Sequence, residues 1–303
     1  MATNTIHQLI HERALPPETL LFVTAETIRT VGGLLSDIGI DFVVLKGPHL
    51  ACTIYPDPLQ RSWCDLDILV RPADSGKALA CLQAHGFTPA PEDSRRHATM
   101  QSYYNVNLMT PLGLPLELHH ALSSHQRYPV DVEQMILDAE PFSIMDVHAK
   151  GLKTEHLLLH LCIHMTNDYF LHEEKHLEDI ALLVRKRAIR WDAFEVLARR
   201  AGCMIGSYYA LAAACAQKNA PVPEALLVSL KPGFLRAIWL NRFLDPHHDP
   251  VYIRKDHDYA KAMLRIGLPM MDRLADAVAV GLRYMRLRTL DFVRARRAAP
   301  ESG

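Results

Sequence analysis

The sequence predicts an α/β fold in which a small mixed-sheet domain is followed by an all-helical domain. In the first half of the chain, short apolar runs typical of strands alternate with helical patterns. From Lys153 to about Arg297 the pattern is helical with short breaks. The length of 303 residues favours two domains. We place them at residues 1–150 and 151–303, with the boundary between Met145 and Gly151.

Proline and glycine set the bounds of the predicted elements. Pro16 opens a helix that runs to about Asp37, and Gly39 ends it. Gly47 is a turn between a short strand and a brief helix. The remaining predictions are strands over Asp41–Lys46, Arg61–Val70, Gln101–Met109 and Leu114–His119, and helices over Pro48–Tyr55 and Arg71–Ala84.

Composition and charge narrow the class of protein. The net charge of −1 gives no global electrostatic reason to expect nucleic-acid or membrane binding. An arginine-rich stretch from Arg283 to Arg297 reads as a solvated face and leaves a local nucleic-acid contact open. The six cysteines form no CxxC pair, and we find neither a signal peptide nor an apolar run long enough to span a membrane. A cytoplasmic protein is therefore expected.

Two carboxylates, Asp65 and Asp67, are the most informative pair of residues. Residues i and i+2 of a strand point to the same face, so both should project from one side. Like charges held this close are tolerated where water solvates them or a cation lies between them. Oxygen ligands favour Mg²⁺ or Mn²⁺ over Zn²⁺. Neutralising either residue should relieve repulsion and leave the fold intact.

A third carboxylate, Glu117, alternates with Leu116 and Leu118 on the next predicted strand. An acid in an apolar strand is costly unless it is paired, solvated or metal-bound. Three converging carboxylates that hold one or two divalent ions suit phosphoryl or nucleotidyl transfer. The alternatives are a solvated strand edge for the aspartates and a salt bridge for Glu117. His119 shares the Glu117 face and lies either near the metals or simply at a strand end.

The order of these elements resembles the nucleotidyltransferase superfamily of polymerase-beta type, and within it the bacterial branch described as uncharacterised nucleotidyltransferases. The resemblance covers roughly residues 15–190. It is carried by Leu45-Lys46-Gly47, Tyr55-Pro56, Arg61–Val70, Glu117-Leu118-His119, His160, His164 and Asp179-Ile180.

The resemblance implies that residues 1–150 form a catalytic domain that moves a nucleoside monophosphate from an NTP to an acceptor, with Mg²⁺ or Mn²⁺ as cofactor. Asp65, Asp67 and Glu117 would be the catalytic and metal-binding carboxylates. Lys46, Gly47 and Arg61 would contact the triphosphate, and the helical domain would supply the acceptor pocket. The Ser of the superfamily's Gly-Ser turn is missing here. Lys46 could instead be a surface lysine, and Arg61 could have a structural role.

Histidines recur every four residues in the second half, at His156, His160 and His164, and again at His172 and His176. The first three therefore line one helix face, and the histidines could bind Zn²⁺ or form a polar seam that joins the domains or contacts the nucleotide.

The acceptor is open among a small molecule, a protein and an RNA. Three other functions also remain open. One is a non-catalytic protein that binds nucleotides or partners on the same fold. The second is a toxin-like enzyme that modifies tRNA. The third is a zinc hydrolase built on the histidines.

Overall fold

A seven-stranded mixed sheet forms the centre of the first half of the molecule. The computed structural model describes residues 15–90, 104–123, 127–170, 173–244, 259–282 and 285. The strand order is β3-β4-β5-β2-β1-β7-β6. The strands are β1 (Phe42–Val44), β2 (Leu66–Val70), β3 (Thr88–Pro89), β4 (Asn105–Met109), β5 (Pro115–His119), β6 (Glu140–Ile144) and β7 (Val147–Gly151).

Helices cover the sheet and make up the second half, so the predicted fold class is confirmed. They are α1 (Pro17–Asp37), α2 (Pro48–Ile54), α3 (Ser75–Ala84), α4 (Val132–Leu137), α5 (Thr154–Asn167), α6 (Glu173–Lys186), α7 (Trp191–Arg200), α8 (Met204–Lys218), α9 (Glu224–Leu230), α10 (Phe234–Leu240) and α11 (Tyr259–Ala262). A π-helical turn follows at Met263–Gly267, and 274–282 is helical. No helix in the described part of the chain is long and apolar enough to cross a bilayer.

The two faces of the sheet belong to different apolar cores. Leu66, Ile68 and Val70 of β2 pack on one face with the buried side of α1. Val43 and Leu69 lie in the other core, which continues without interruption into the helices of the second half. Alternation along β2 therefore sends its apolar side chains to both cores and its polar side chain to the face that the helical half covers.

The main departure from the predicted elements lies at the expected domain boundary. The sequence places that boundary within residues 145–151. These residues form the turn and second strand of a β6–β7 hairpin, and β7 pairs with β1 in the central sheet. The helical half begins directly afterwards, at Thr154. The division into two domains stays a prediction. Residues 101–103, His172 and the predicted arginine-rich stretch except Met285 lie outside the described residues.

Candidate active site

The pairing of two parallel strands brings two of the predicted carboxylates side by side. β2 and β5 run parallel, and their register sets Asp67 directly opposite Glu117. Period-2 alternation places His119 on the same face, and its Nε2 lies 3.1 Å from Asp67 Oδ1 and 3.0 Å from Glu117 Oε2. The potential ligand atoms of Asp67, Glu117 and His119 all lie within 4.8 Å of one another.

Asp65 is not part of this group of potential ligands. The sequence predicts one continuous strand from Arg61 to Val70, but the strand in the structure is shorter. β2 begins at Leu66, and residues 61–65 are bent rather than extended. Two hydrogen bonds hold the bend in place. Arg61 Nε donates to Asp179 Oδ1 at 2.7 Å, and Trp63 Nε1 donates to Thr24 Oγ1 at 2.9 Å. Burial, followed by the neighbouring charge of Asp67, raises the pKa of Asp65 to about 6.

Asp67 is neutralised by two cations. Its side chain is 1% exposed, and Lys46 Nζ lies 3.3 Å from Oδ2 while His119 holds Oδ1. Burial alone would raise the pKa of Asp67, but Lys46 and His119 hold it well below its usual range. Neutralising Asp65 is therefore still expected to relieve repulsion, whereas neutralising Asp67 is now expected to remove a favourable charge.

The neighbouring carboxylates stabilise the protonated form of His119. Burial alone would lower its pKa, but its hydrogen bonds to Asp67 and Glu117 raise it to about 9. Asn105 Nδ2 donates to Glu117 Oε2 at 2.8 Å, which fixes the carboxylate from the β4 side. Glu117 is the more accessible of the two paired carboxylates, with 26% of its side chain exposed.

The turn at Gly47, which is predicted to contact the triphosphate, offers few backbone donors. Gly47 has a positive φ of 54°, which favours glycine, and a Cβ there would lie 3.3 Å from Trp63 Cβ. The helix that follows is one of seven residues. Pro48 has no N–H to offer, and the His49 N–H donates to the Lys46 carbonyl. Lys46 is mostly buried and paired with Asp67, so it is not the surface lysine of the alternative interpretation.

Arg61 is held in a buried ion pair with Asp179 of α6. Its Nε and Nη2 each donate to Asp179 at 2.7 Å, and the Tyr55 hydroxyl donates to the same carboxylate at 2.8 Å. Arg61 Nη1 donates to the Ser62 carbonyl. The predicted role of Arg61 in contacting the triphosphate does not fit this arrangement, since the guanidinium is already paired with Asp179. The structural role fits instead, because the pair ties the bend before β2 to the helical half.

The histidines of α5 and α6 form a buried seam beside the carboxylates. The rings of His160 and His164 stack with centroids 6.2 Å apart, and the ring of His176 meets His164 edge-on at 4.6 Å. Burial lowers the pKa of His160 to about 3 and that of His176 to about 4. Neither ring nitrogen of His160 makes a hydrogen bond within the described residues, and the same holds for Nδ1 of His156 and His176.

Sequence reasoning missed Asp168 as a member of this seam. His164 Nε2 lies 3.5 Å from Asp168 Oδ2, and these two residues with His176 form a second group of potential metal ligands. The signal was present, since Asp168 follows His164 at the four-residue spacing that places side chains on one helix face. It was obscured because Asp168 is the cap that follows the last residue of α5 and so lies outside the regular helical pattern.

The residues of the β2–β5 face fit a divalent ion. Asp67 Oδ2 is buried and makes no hydrogen bond to any described residue. Lys46 Nζ lies 3.3 Å from this oxygen and pairs with its charge, but not in the orientation of a hydrogen bond. A buried carboxylate oxygen with spare lone pairs, opposite a second carboxylate on the next strand, is a suitable donor set for such an ion. Asp67 and Glu117 would hold it, with Asp65 within electrostatic reach of Asp67.

Comparisons with known proteins place the chain in a family. A search of curated proteins finds no match. Among solved structures, the solution structure of the antibiotic-resistance factor ANT(2'')-Ia is similar over 59% of this chain and 90% of that chain. The two chains are 13% identical, and the TM-score is 0.39. The profile of the family described as "Uncharacterised nucleotidyltransferase" matches residues 21–217, about two thirds of the sequence. The chain therefore belongs to the uncharacterised nucleotidyltransferase family.

Proposed function

We propose that this chain transfers a nucleoside monophosphate from an NTP to an acceptor, and that Asp67 and Glu117 hold a divalent ion, Mg²⁺ or Mn²⁺, for that reaction. One observation carries the proposal: the β2–β5 register sets these two carboxylates opposite each other, and a buried oxygen of Asp67 has no hydrogen bond within the described residues. Membership of a nucleotidyltransferase family supports the reaction class.

The bound ion would supply charge neutralisation and Lewis acidity at the phosphates. The chain's own side chains have separable tasks. Lys46 places a positive charge beside Asp67, suited to the β- and γ-phosphates of the donor. His119 orients both carboxylates through its contacts with each. Glu117, the more exposed of the two, is the group we assign to accept the proton of an acceptor hydroxyl.

Asp65 has a different task from Asp67 in this proposal. The bend before β2 leaves it outside the closest group of ligands, and its raised pKa shows an unfavourable environment for its charge. A divalent ion near Asp67 would relieve that repulsion. We therefore assign Asp65 to the same metal site, as a carboxylate whose charge is favourable only when the ion is bound.

Thermal unfolding with each of the four NTPs, with and without Mg²⁺, tests the proposal. The variants are the wild type, Asp67→Asn and the control Asp146→Asn, whose aspartate is exposed on the β6–β7 turn. At a free NTP concentration 100 times Kd, binding should stabilise the protein by about 2.7 kcal/mol. We expect a Mg²⁺-dependent shift in the wild type and the control, and none in Asp67→Asn, each measured against its own ligand-free Tm.

Release of pyrophosphate from the donor that gives the shift then separates an enzyme from a binding protein. Loss of a metal ligand removes several kcal/mol of transition-state stabilisation, so Asp67→Asn should be slower by about 10³-fold. A Mg²⁺-dependent shift that survives in Asp67→Asn would contradict the site. Binding without turnover across small-molecule, protein and RNA acceptors would favour the non-catalytic alternative.

A further inference from the structure

We propose that His164, Asp168 and His176 form a second metal site, for an ion of the Zn²⁺ class, separate from the carboxylates of β2 and β5. We call these three residues the His–Asp–His cluster. Their potential ligand atoms all lie within 4.8 Å of one another. The set of two imidazoles and one carboxylate suits Zn²⁺ and similar transition ions better than Mg²⁺, which prefers oxygen ligands.

The distances in the cluster are close to those of a loaded site. Metal–ligand bonds of about 2.0–2.1 Å in a tetrahedral site set neighbouring ligand atoms about 3.4 Å apart. His164 Nε2 and Asp168 Oδ2 are already 3.5 Å apart. The rings of His164 and His176 are perpendicular with centroids 4.6 Å apart, and the potential ligand atoms of both lie within 4.8 Å of each other and of Asp168.

The local structure explains why three separated residues meet. His164 lies in the last turn of α5 and Asp168 is its C-terminal cap, so the pair shares one helix face. Tyr169 and Phe170 follow with positive φ values of 52° and 61°, which reverses the chain. The helix α6 then packs against α5 and carries His176 back to the same end.

Unsatisfied nitrogens next to the cluster point independently to a ligand. His160 is 4% exposed, stacks on His164, and has no hydrogen bond at either ring nitrogen within the described residues. His176 Nδ1 is buried in the same condition. A buried polar atom without a partner costs about 1–3 kcal/mol, and a coordinating ion removes that cost for any nitrogen it binds. An ion bound through His176 Nδ1 would remove that cost for this nitrogen, whereas a purely structural seam would leave it unsatisfied.

The cluster lies beside the carboxylates rather than on a remote surface. Lys46, which pairs with Asp67, is close enough to act electrostatically on His164, and Asp168 acts on Lys46 in turn. Three protein ligands leave a tetrahedral ion one open position. An ion held here would therefore add a positive charge and an exchangeable ligand position next to the proposed nucleotide site.

Metal-binding measurements on the full chain test this site without any enzyme assay. The protein is stripped with a chelator and dialysed against buffered Zn²⁺ in excess Mg²⁺, and bound zinc is counted. Co²⁺ absorption then reports the coordination geometry. The variants are His176→Ala, Asp168→Asn and Asp67→Asn. The control is His148→Ala, which removes an exposed histidine of β7.

We expect the wild type, Asp67→Asn and His148→Ala each to bind one Zn²⁺ per chain. His176→Ala should bind it more weakly by at least about 10–100-fold, the loss typical of removing even an outer-shell partner. Asp168→Asn changes a partly exposed side chain and weakens binding without risk to the core, so it decides the matter if His176→Ala fails to fold.

Three outcomes would overturn the proposal. One is a wild-type chain that binds no Zn²⁺. Another is unchanged binding in both His176→Ala and Asp168→Asn. The third is binding that is lost only in Asp67→Asn, which would assign the ion to the carboxylates of β2 and β5.

Discussion

Asp67 and Asp179 are both buried aspartates at the junction of the sheet and the helical half, but their hydrogen bonding differs. Asp179 accepts two hydrogen bonds from Arg61 and one from Tyr55, so both of its oxygens are satisfied. Asp67 accepts one from His119, and its other oxygen lies 3.3 Å from Lys46 Nζ without a hydrogen bond to any described residue. A satisfied carboxylate acts as a structural tie, whereas an under-satisfied one keeps the capacity to take another ligand.

The identity of the cation explains the difference. The guanidinium of Arg61 is planar and matches a carboxylate with two parallel donors, which fixes both partners. The ammonium of Lys46 is a compact charge on a flexible stem. It neutralises Asp67 without fixing the geometry, so the carboxylate can exchange its partner for an ion. The arginine pair therefore builds the site, and the lysine pair is free to take part in its chemistry.

The largest effect should come from breaking the satisfied pair. Asp179→Asn leaves the Arg61 guanidinium buried without the carboxylate that it pairs with. Removing one partner of a buried ion pair costs about 3–5 kcal/mol. We expect a loss of that size in the free energy of unfolding, measured by urea denaturation at pH 7.5.

Two variants separate this effect from a general loss. Asp146→Asn removes the exposed partner of Arg29 and should change stability little, since surface pairs contribute little. Replacing both buried partners by leucine, Arg61→Leu with Asp179→Leu, should recover much of the loss, because no unpaired charge remains. A loss in Asp179→Asn as small as in Asp146→Asn would show that the pair is not a structural tie.

The sequence predicted the local parts of this arrangement better than the long-range ones. The Asp67 strand and the facing of His119 and Glu117 follow from period-2 alternation, which needs only neighbouring residues. The Arg61–Asp179 pair joins residues 118 positions apart, and no local pattern specifies it. The strand β7 was missed because Val147–Gly151 is short and half polar, so its burial depends on pairing with β1 and β6.

His49 is also buried near the junction, but unlike Asp67 and Asp179 it forms no ion pair with a described residue. His49 is 5% exposed, its Nδ1 lies 3.5 Å from the Leu45 carbonyl, and its ring packs on Phe142 with centroids 4.9 Å apart. Burial lowers its pKa to about 4, so the folded protein binds fewer protons at this site than the unfolded chain between pH 6.5 and 4. Its contribution to stability is therefore present above pH 6.5 and lost as the pH falls through that window, by about 2 kcal/mol at pH 5.

Urea denaturation of the wild type and His49→Gln at pH 7.5 and pH 5 measures this contribution. On acidification the free energy of unfolding of the wild type should fall by about 2 kcal/mol more than that of His49→Gln, because of the lowered pKa of His49. His85→Gln, a change at an exposed histidine of the loop after α3, should follow the wild type. An equal acid response in His49→Gln and the wild type would show that the ring is not held neutral by burial.

The smallest expected effect is a change in the free energy of unfolding that has opposite signs for substitutions of Asp65 and Asp67. The charge of Asp65 is unfavourable in the folded protein, because burial and Asp67 both raise its pKa. Asp65→Asn removes the repulsion but keeps a buried polar group, so above pH 6 it should stabilise the ion-free protein by about 1 kcal/mol. Asp67→Asn should destabilise it, because Lys46 and His119 lose the carboxylate that they share. Urea denaturation in the presence of a chelator measures both, and equal signs would contradict the assignment of favourable charge to Asp67 and unfavourable charge to Asp65.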